Sequence, residues 1–105
     1  MKEELFYEIG ESITESIRGN LFGKPCFKYK TKAFICFFEY CMVFKLSGKA
    51  HQDAMALEGS KHFDPSGKGR PMKEWVQVTF DHSELWTFYA NEAKKYAILL
   101  RKTRQ

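Results

Sequence analysis

The sequence predicts a single α+β domain over residues 1–105, ordered helix, three-stranded antiparallel meander, helix, two strands and C-terminal helix, with one antiparallel sheet carrying packed helices. The prediction rests on helical spacing of apolar residues near both ends, a central cluster of short strand-like runs with very short breaks, and a later run that alternates with period two.

Leu5, Phe6, Ile9, Ile13 and Ile17 recur at helical spacing and predict an amphipathic helix over 3–18, with Gly19-Asn20 as a left-handed stop. The runs 25–30, 33–38 and 41–46 read as strands. The breaks Thr31-Lys32 and Glu39-Tyr40 are too short for a crossover, so neighbouring strands must be antiparallel. Ser47 is placed to cap a helix over 48–58 whose apolar positions Ala50, Ala54 and Leu57 face one way before Gly59 ends it.

Phe63 marks a short strand, followed by the loop 64–71 and a strand over 72–80. In that strand Val76, Val78 and Phe80 share one face, while Trp75, Gln77 and Thr79 share the other. The last helix has the signature of a capping box, with Asp81 as N-cap, Glu84 three positions on, and Phe80 with Leu85 as a hydrophobic staple. Leu85, Tyr89, Ala93, Tyr96 and Leu100 make its core stripe, and Lys94, Lys95, Arg101, Lys102 and Arg104 complement the negative end of its dipole.

Ten Phe, five Tyr and two Trp supply the material for a core without disulfides or metals, since each aromatic can remove about 150–250 Å² from water. The longest apolar run is six residues, 33–38, against the roughly 20 that a membrane helix needs. The acidic, amphipathic start lacks the basic and apolar regions of a signal peptide, so the expected location is the cytoplasm. Cys26, Cys36 and Cys41 are odd in number and form no Cys-x-x-Cys pair, and they read as buried thiols. A metal site joining them to His51, His62 or His82 would lack the local ligand pairs of structural zinc; neither metal nor cofactor is expected.

The net charge of +4 is uneven. Residues 1–20 carry two basic and five acidic side chains, 21–80 ten and five, and 81–105 five and three. A basic centre favours polyanions, although charge runs are commonly solvated faces. Lys24, Lys28 and Lys30 share one side of the first strand with Cys26, and such a ribbon either enters a nucleic-acid groove or guards a sheet edge against aggregation. Gly67-Lys68-Gly69-Arg70 reads as an anion nest with two cations, or as a plain turn, because it lacks the ending of a phosphate loop. Asp81-His82-Ser83 holds the residue types of a hydrolase triad, but contiguous residues opening a helix diverge, and capping explains them better.

The second strand is apolar on both sides, with Phe34, Cys36 and Phe38 expected on one face and Ala33, Ile35 and Phe37 on the other. Together with Met42, Phe44 and Trp75, the Phe34–Phe38 face is expected to be covered by the chain's own helices or to form a dimer or ligand surface.

Gly-Lys-Pro-Cys-Phe at 23–27, Ala-Phe-Ile-Cys-Phe at 33–37, Met-Val-Phe-Lys-Leu at 42–46, Gly-Ser-Lys-His-Phe at 59–63 and Gly-Lys-Gly-Arg-Pro-Met-Lys-Glu-Trp-Val at 67–76 resemble the TfoX N-terminal family. The chain also resembles the neighbouring YjbR/MmcQ group. The resemblance implies the same element order, a link to competence regulation in the first group and to DNA binding in the second, and it offers no catalytic residues. The expected function is a small non-enzymatic regulatory or interaction module, with a homodimer as its expected partner. The alternatives are nucleic-acid binding through Lys24, Lys28, Lys30, Lys68 and Arg70, and small-ligand binding beside Trp75.

Overall fold

The computed structural model describes residues 2–103. Its elements are α1 (Lys2–Ser12), β1 (Ser16–Leu21), β2 (Lys24–Tyr29), β3 (Lys32–Phe38), β4 (Cys41–Lys45), α2 (Gly48–Ala56), β5 (Lys61–Phe63), β6 (Met72–Val78), a 3₁₀ turn (Phe80–Leu85) and α3 (Trp86–Thr103). All strands join one antiparallel sheet in the order β1-β2-β3-β4-β6-β5, so the expected α+β class, meander and single sheet are present, with one strand more than expected.

The extra strand comes from the second half of the helix expected over 3–18. Leu5, Phe6 and Ile9 keep their helical spacing, but Ser12, Thr14 and Ser16 are poor helix formers, and the two serine hydroxyls take backbone carbonyls. Ser12 Oγ donates to the Ile9 carbonyl at 2.7 Å and Ser16 Oγ to the Gly10 carbonyl at 2.5 Å, closing the helix end. Glu15 then turns the chain at φ 64°, and Ile17 goes into a strand. From α3, Lys94 Nζ donates to the Thr14 carbonyl at 2.5 Å, so the turn is tied to the last helix as well.

The core lies between the sheet and helices α1 and α3. Phe6 sits at its centre, with the rings of Tyr7, Phe27 and Phe37 at 5.1, 5.3 and 5.6 Å. On α3 the buried positions are Trp86, Tyr89, Ala90, Ala93 and Ala97. The helix therefore turns small residues to the sheet, and the expected Leu85, Tyr96 and Leu100 flank this stripe, only partly buried. Arg104, expected at its end, lies outside the described residues.

Two helix starts differ from expectation. Ser47 occupies the N-cap of α2 in extended conformation but makes no side-chain cap bond. Asp81 lies inside the 3₁₀ turn and does not cap α3. Phe80 meets Trp86 edge-on at 5.6 Å, so the apolar clasp at this corner uses Trp86 in place of Leu85.

Gly10 on α1 is a contact point, since a Cβ there would lie 2.1 Å from the Phe27 ring. Alanine would gain about 1 kcal/mol of helix propensity but would overpack the helix–sheet contact at a cost of about 1–3 kcal/mol. Gly10→Ala is therefore expected to lower stability, read as a lower urea midpoint at unchanged m-value.

Candidate functional site

The two faces of the sheet divide differently from simple alternation. Phe27 pairs with Ile35 while Lys28 pairs with Ala33, so β3 carries one extra residue at Phe34. A bulge of this kind lets adjacent residues share a side. Phe34 and Ile35 both enter the helix-side core, and Cys36 and Phe38 are left on the outer face. Phe44 also belongs to the helix side, against Tyr89 of α3 at 5.9 Å, as does Met42. Of the expected outer patch Phe34, Phe38, Phe44 and Trp75, only Phe38 and Trp75 are on that face.

The outer face is closed by its own side chains, not by a helix. Cys26, Cys36, Val43, Phe63 and Trp75 form a second buried cluster, with Trp75 only 4% exposed. Phe63 holds it together, its ring 5.3 Å from Phe38 and 6.2 Å from Trp75. The register brings Cys26 opposite Cys36; both thiols are free, and burial raises their pKa values, so they remain protonated and unreactive as nucleophiles. Cys41 is free and half-buried.

The five cations do not form one stripe. Lys24 and Lys28 remain on the outer face, where the Lys24 amine lies 5.1 Å over the Phe38 ring and the Lys28 stem covers Gly19. Lys30 sits in the β2–β3 turn at φ 57°, which breaks the alternation, and its amine is over Tyr29 on the helix side. Lys68 and Arg70 are exposed in the loop between β5 and β6.

That loop is indeed a nest, but its anion is internal. Asp64 Oδ1 accepts from Ser66 Oγ at 2.7 Å, Gly67 N at 3.1 Å and Ser66 N at 3.2 Å, and Oδ2 accepts from Gly69 N at 2.9 Å and Arg70 N at 3.2 Å. Gly67 and Gly69 have φ 68° and 76°, the left-handed conformations that let these amides converge. The backbone donors that a phosphate would need are thus already used.

Between this ordered loop, the end of β3 and the β5–β6 pair lies a cleft of about 620 Å³. Phe38 and Glu39 border it on one side, Lys61 and His62 on another, and Gln77 lines it from β6. Trp75 is not among its lining residues, so the ligand surface expected beside Trp75 is displaced toward Phe38 and Gln77. Sequence reading placed Gln77 on the right face but gave it no role; the only signal was a polar residue alternating with valines. A second hollow, of about 730 Å³, is bordered by Lys2, Leu5, Phe37, Tyr40 and Phe80. It is more apolar, with the Lys2 amine over the Tyr40 and Phe80 rings at 5.6 and 4.9 Å.

The triad residue types at 81–83 are not assembled for catalysis, because His82 Nε2 is engaged with the Glu58 carbonyl at 2.8 Å. His51 is likewise held at the Lys73 carbonyl, at 2.7 Å, with its ring 5.8 Å from that of His62. Among the described residues no group of three His, Cys, Asp or Glu side chains could hold a metal ion. No family model, curated protein or solved structure matches the chain.

The Ser66 hydroxyl above all, with the amides of Gly69, Gly67 and Arg70 adding to it, holds the Asp64 carboxyl below its ordinary pKa against desolvation, which opposes by less than the hydroxyl but by more than any one amide. The stabilisation of the loop is therefore complete at neutral pH and is lost as pH falls through the lowered value. Asp64→Ala is expected to abolish amide-exchange protection at Gly67 and Gly69 at neutral pH, and acidification of the unsubstituted chain to reproduce that loss.

Proposed function

We infer that this chain is a non-enzymatic interaction module of the cytoplasm that pairs with a second copy of itself along the open edge of β1. The observation that carries this reading is the state of that edge. β1 is six residues long, contains no proline, and is bonded to β2 on one side only. Beside its free edge Ile17 is 58% exposed and, just beyond it, Phe22 is 60% exposed.

Sheet edges of this kind are normally protected by short length, proline, bulges or charges directed along the edge. The opposite edge, β5, is three residues long and so limits pairing by itself. The charged residue within β1 is Arg18, which is turned back to the helix side, where it pairs with Glu11 and lies 4.5 Å over the Tyr7 ring. Strand addition gives affinity through backbone bonds and specificity through alternate side chains. Antiparallel pairing of β1 with its copy around a two-fold axis near Arg18 and Gly19 makes the contact self-complementary, the same strand serving both sides. The resemblance to the TfoX N-terminal family favours a regulatory setting for such a pair, and the engagement of His82 with the Glu58 carbonyl argues against the one catalytic constellation offered by the sequence.

Sedimentation velocity from micromolar to millimolar concentration tests the reading. The expected mass is that of two chains, with Ile17→Lys shifting it to one chain while the circular dichroism spectrum stays unchanged, because Ile17 is exposed. A chain that remains single throughout that range removes the reading.

A further inference from the structure

Gln77 is the one buried polar residue among the described residues, 3% exposed, and it lines the cleft without a side-chain hydrogen bond; its amide is not sealed from solvent, as Ser60 Oγ, Thr79 Oγ1 and Trp86 Nε1 are. Within the fold that amide is left to the water of the cleft, and a ligand with the matching donor and acceptor can replace that water. A strand position between two buried valines, Val76 and Val78, is one where leucine or valine would be the ordinary occupant. Gln77 lines the cleft beside Phe38, so whatever completes its hydrogen bonds enters from there.

We propose that this cleft binds a nucleobase-bearing ligand, with the Gln77 amide reading the base edge, Phe38 against the base face, and Lys61 and Lys24 beside its phosphate. A primary amide presents a donor and an acceptor side by side in one plane. Its complement is a planar group with the same pair reversed, as on the N6/N7 edge of adenine, which glutamine contacts in bidentate fashion. An aromatic wall next to that amide suits the flat face of a base and not the hydroxyl-studded surface of a sugar.

The charge balance selects an anionic form of such a ligand. Both oxygens of Asp64 are engaged by loop donors, so its charge is answered within the loop. Glu39 is the remaining acid of the lining, against Lys61 in the lining, Lys24 over the Phe38 ring, and Lys68 and Arg70 on the loop itself. The cleft, at about 620 Å³, falls within the size range of small-molecule sites, and the Asp64 nest holds one wall in place before any ligand arrives. The same chemistry is offered by a free mononucleotide and by an unstacked base of a single strand.

The test is a nitrogen-15 NMR titration of the full chain with adenosine monophosphate, adenosine, inorganic phosphate and a single-stranded oligoadenylate, each to millimolar concentration. The expected result is a saturable shift of the Gln77 side-chain amide with adenosine monophosphate, a weaker one with adenosine, and none with phosphate alone. Oligoadenylate binding much tighter than the mononucleotide identifies a nucleic-acid strand as the source; comparable or weaker binding identifies the free nucleotide. Gln77→Leu is expected to weaken binding at least about fivefold with the circular dichroism spectrum unchanged, since its amide bonds to no other part of the fold. The proposal is overturned if no base-bearing probe moves the Gln77 amide saturably, if phosphate alone shifts the cleft as strongly as the nucleotide does, or if a folded Gln77→Leu variant binds as the unsubstituted chain.

Discussion

The structure turns on one extra residue in β3. Strict alternation would place Phe34 with Cys36 and Phe38 outside and would leave the helix face short of an aromatic ring. The bulge opposite Phe27 turns Phe34 inward beside Ile35, where both are fully buried. The outer face then keeps only small or thin side chains at its centre, Cys26, Cys36 and Val43, which Phe63 and Trp75 are able to cover without a helix. At roughly 25 cal/mol per Å², moving one phenylalanine between water and core is an effect of about 2–3 kcal/mol, comparable with the defect that a bulge introduces into the ladder. The bulge is therefore better understood as part of the packing solution than as an irregularity.

With the centre of the outer face sealed, openings remain only where the sealing side chains end. The cleft lies at one such place, beyond Phe38 and Phe63, walled by the loop between β5 and β6. Asp64 orders that loop from within. A carboxylate that accepts two main-chain amides on one oxygen and two on the other substitutes for an external anion, and the glycines serve to bring those amides to it. The same residues thus fix a wall instead of a phosphate, and the basic side chains on the loop are left directed outward.

Most of the sheet was legible because its information is local. Two-residue breaks between apolar runs force antiparallel neighbours, and period-two alternation correctly separated Trp75 and Gln77 from Val76 and Val78. What was not legible depends on partners distant in sequence. Ile17 fits the helical spacing of Ile9 and Ile13, and the competition of the Ser12 and Ser16 hydroxyls for helix carbonyls, completed by Lys94 from α3, converts that segment to a strand. The bulge at Phe34 has no signature in a run where every residue is apolar. Gly67-Lys68-Gly69-Arg70 was recognisable as a nest, but its occupant lies just upstream at Asp64, which read as an ordinary loop acid. The capping box at Asp81 and Glu84 matched its pattern and was overridden by Phe80 packing on Trp86, which tightens the entry into a 3₁₀ turn.

A polar residue in a buried strand is informative in proportion to what its neighbours leave undone. Gln77 stands in a row across the outer face with Cys26, Cys36, Val43 and Lys61. Cysteine and valine there offer no useful partner, and the lysine on the edge strand is exposed to solvent. Had the amide served the fold alone, Lys61 or the His62 ring would be the natural group to receive it, yet neither bonds to it. The β1 edge presents the same situation in backbone form, with donors and acceptors aligned and no strand beside them. One opening presents a single planar amide and the other a whole row of main-chain groups, so the first suits a small flat ligand and the second another strand. The two lie at different ends of the sheet, which allows a pair formed along β1 to keep both of its clefts open.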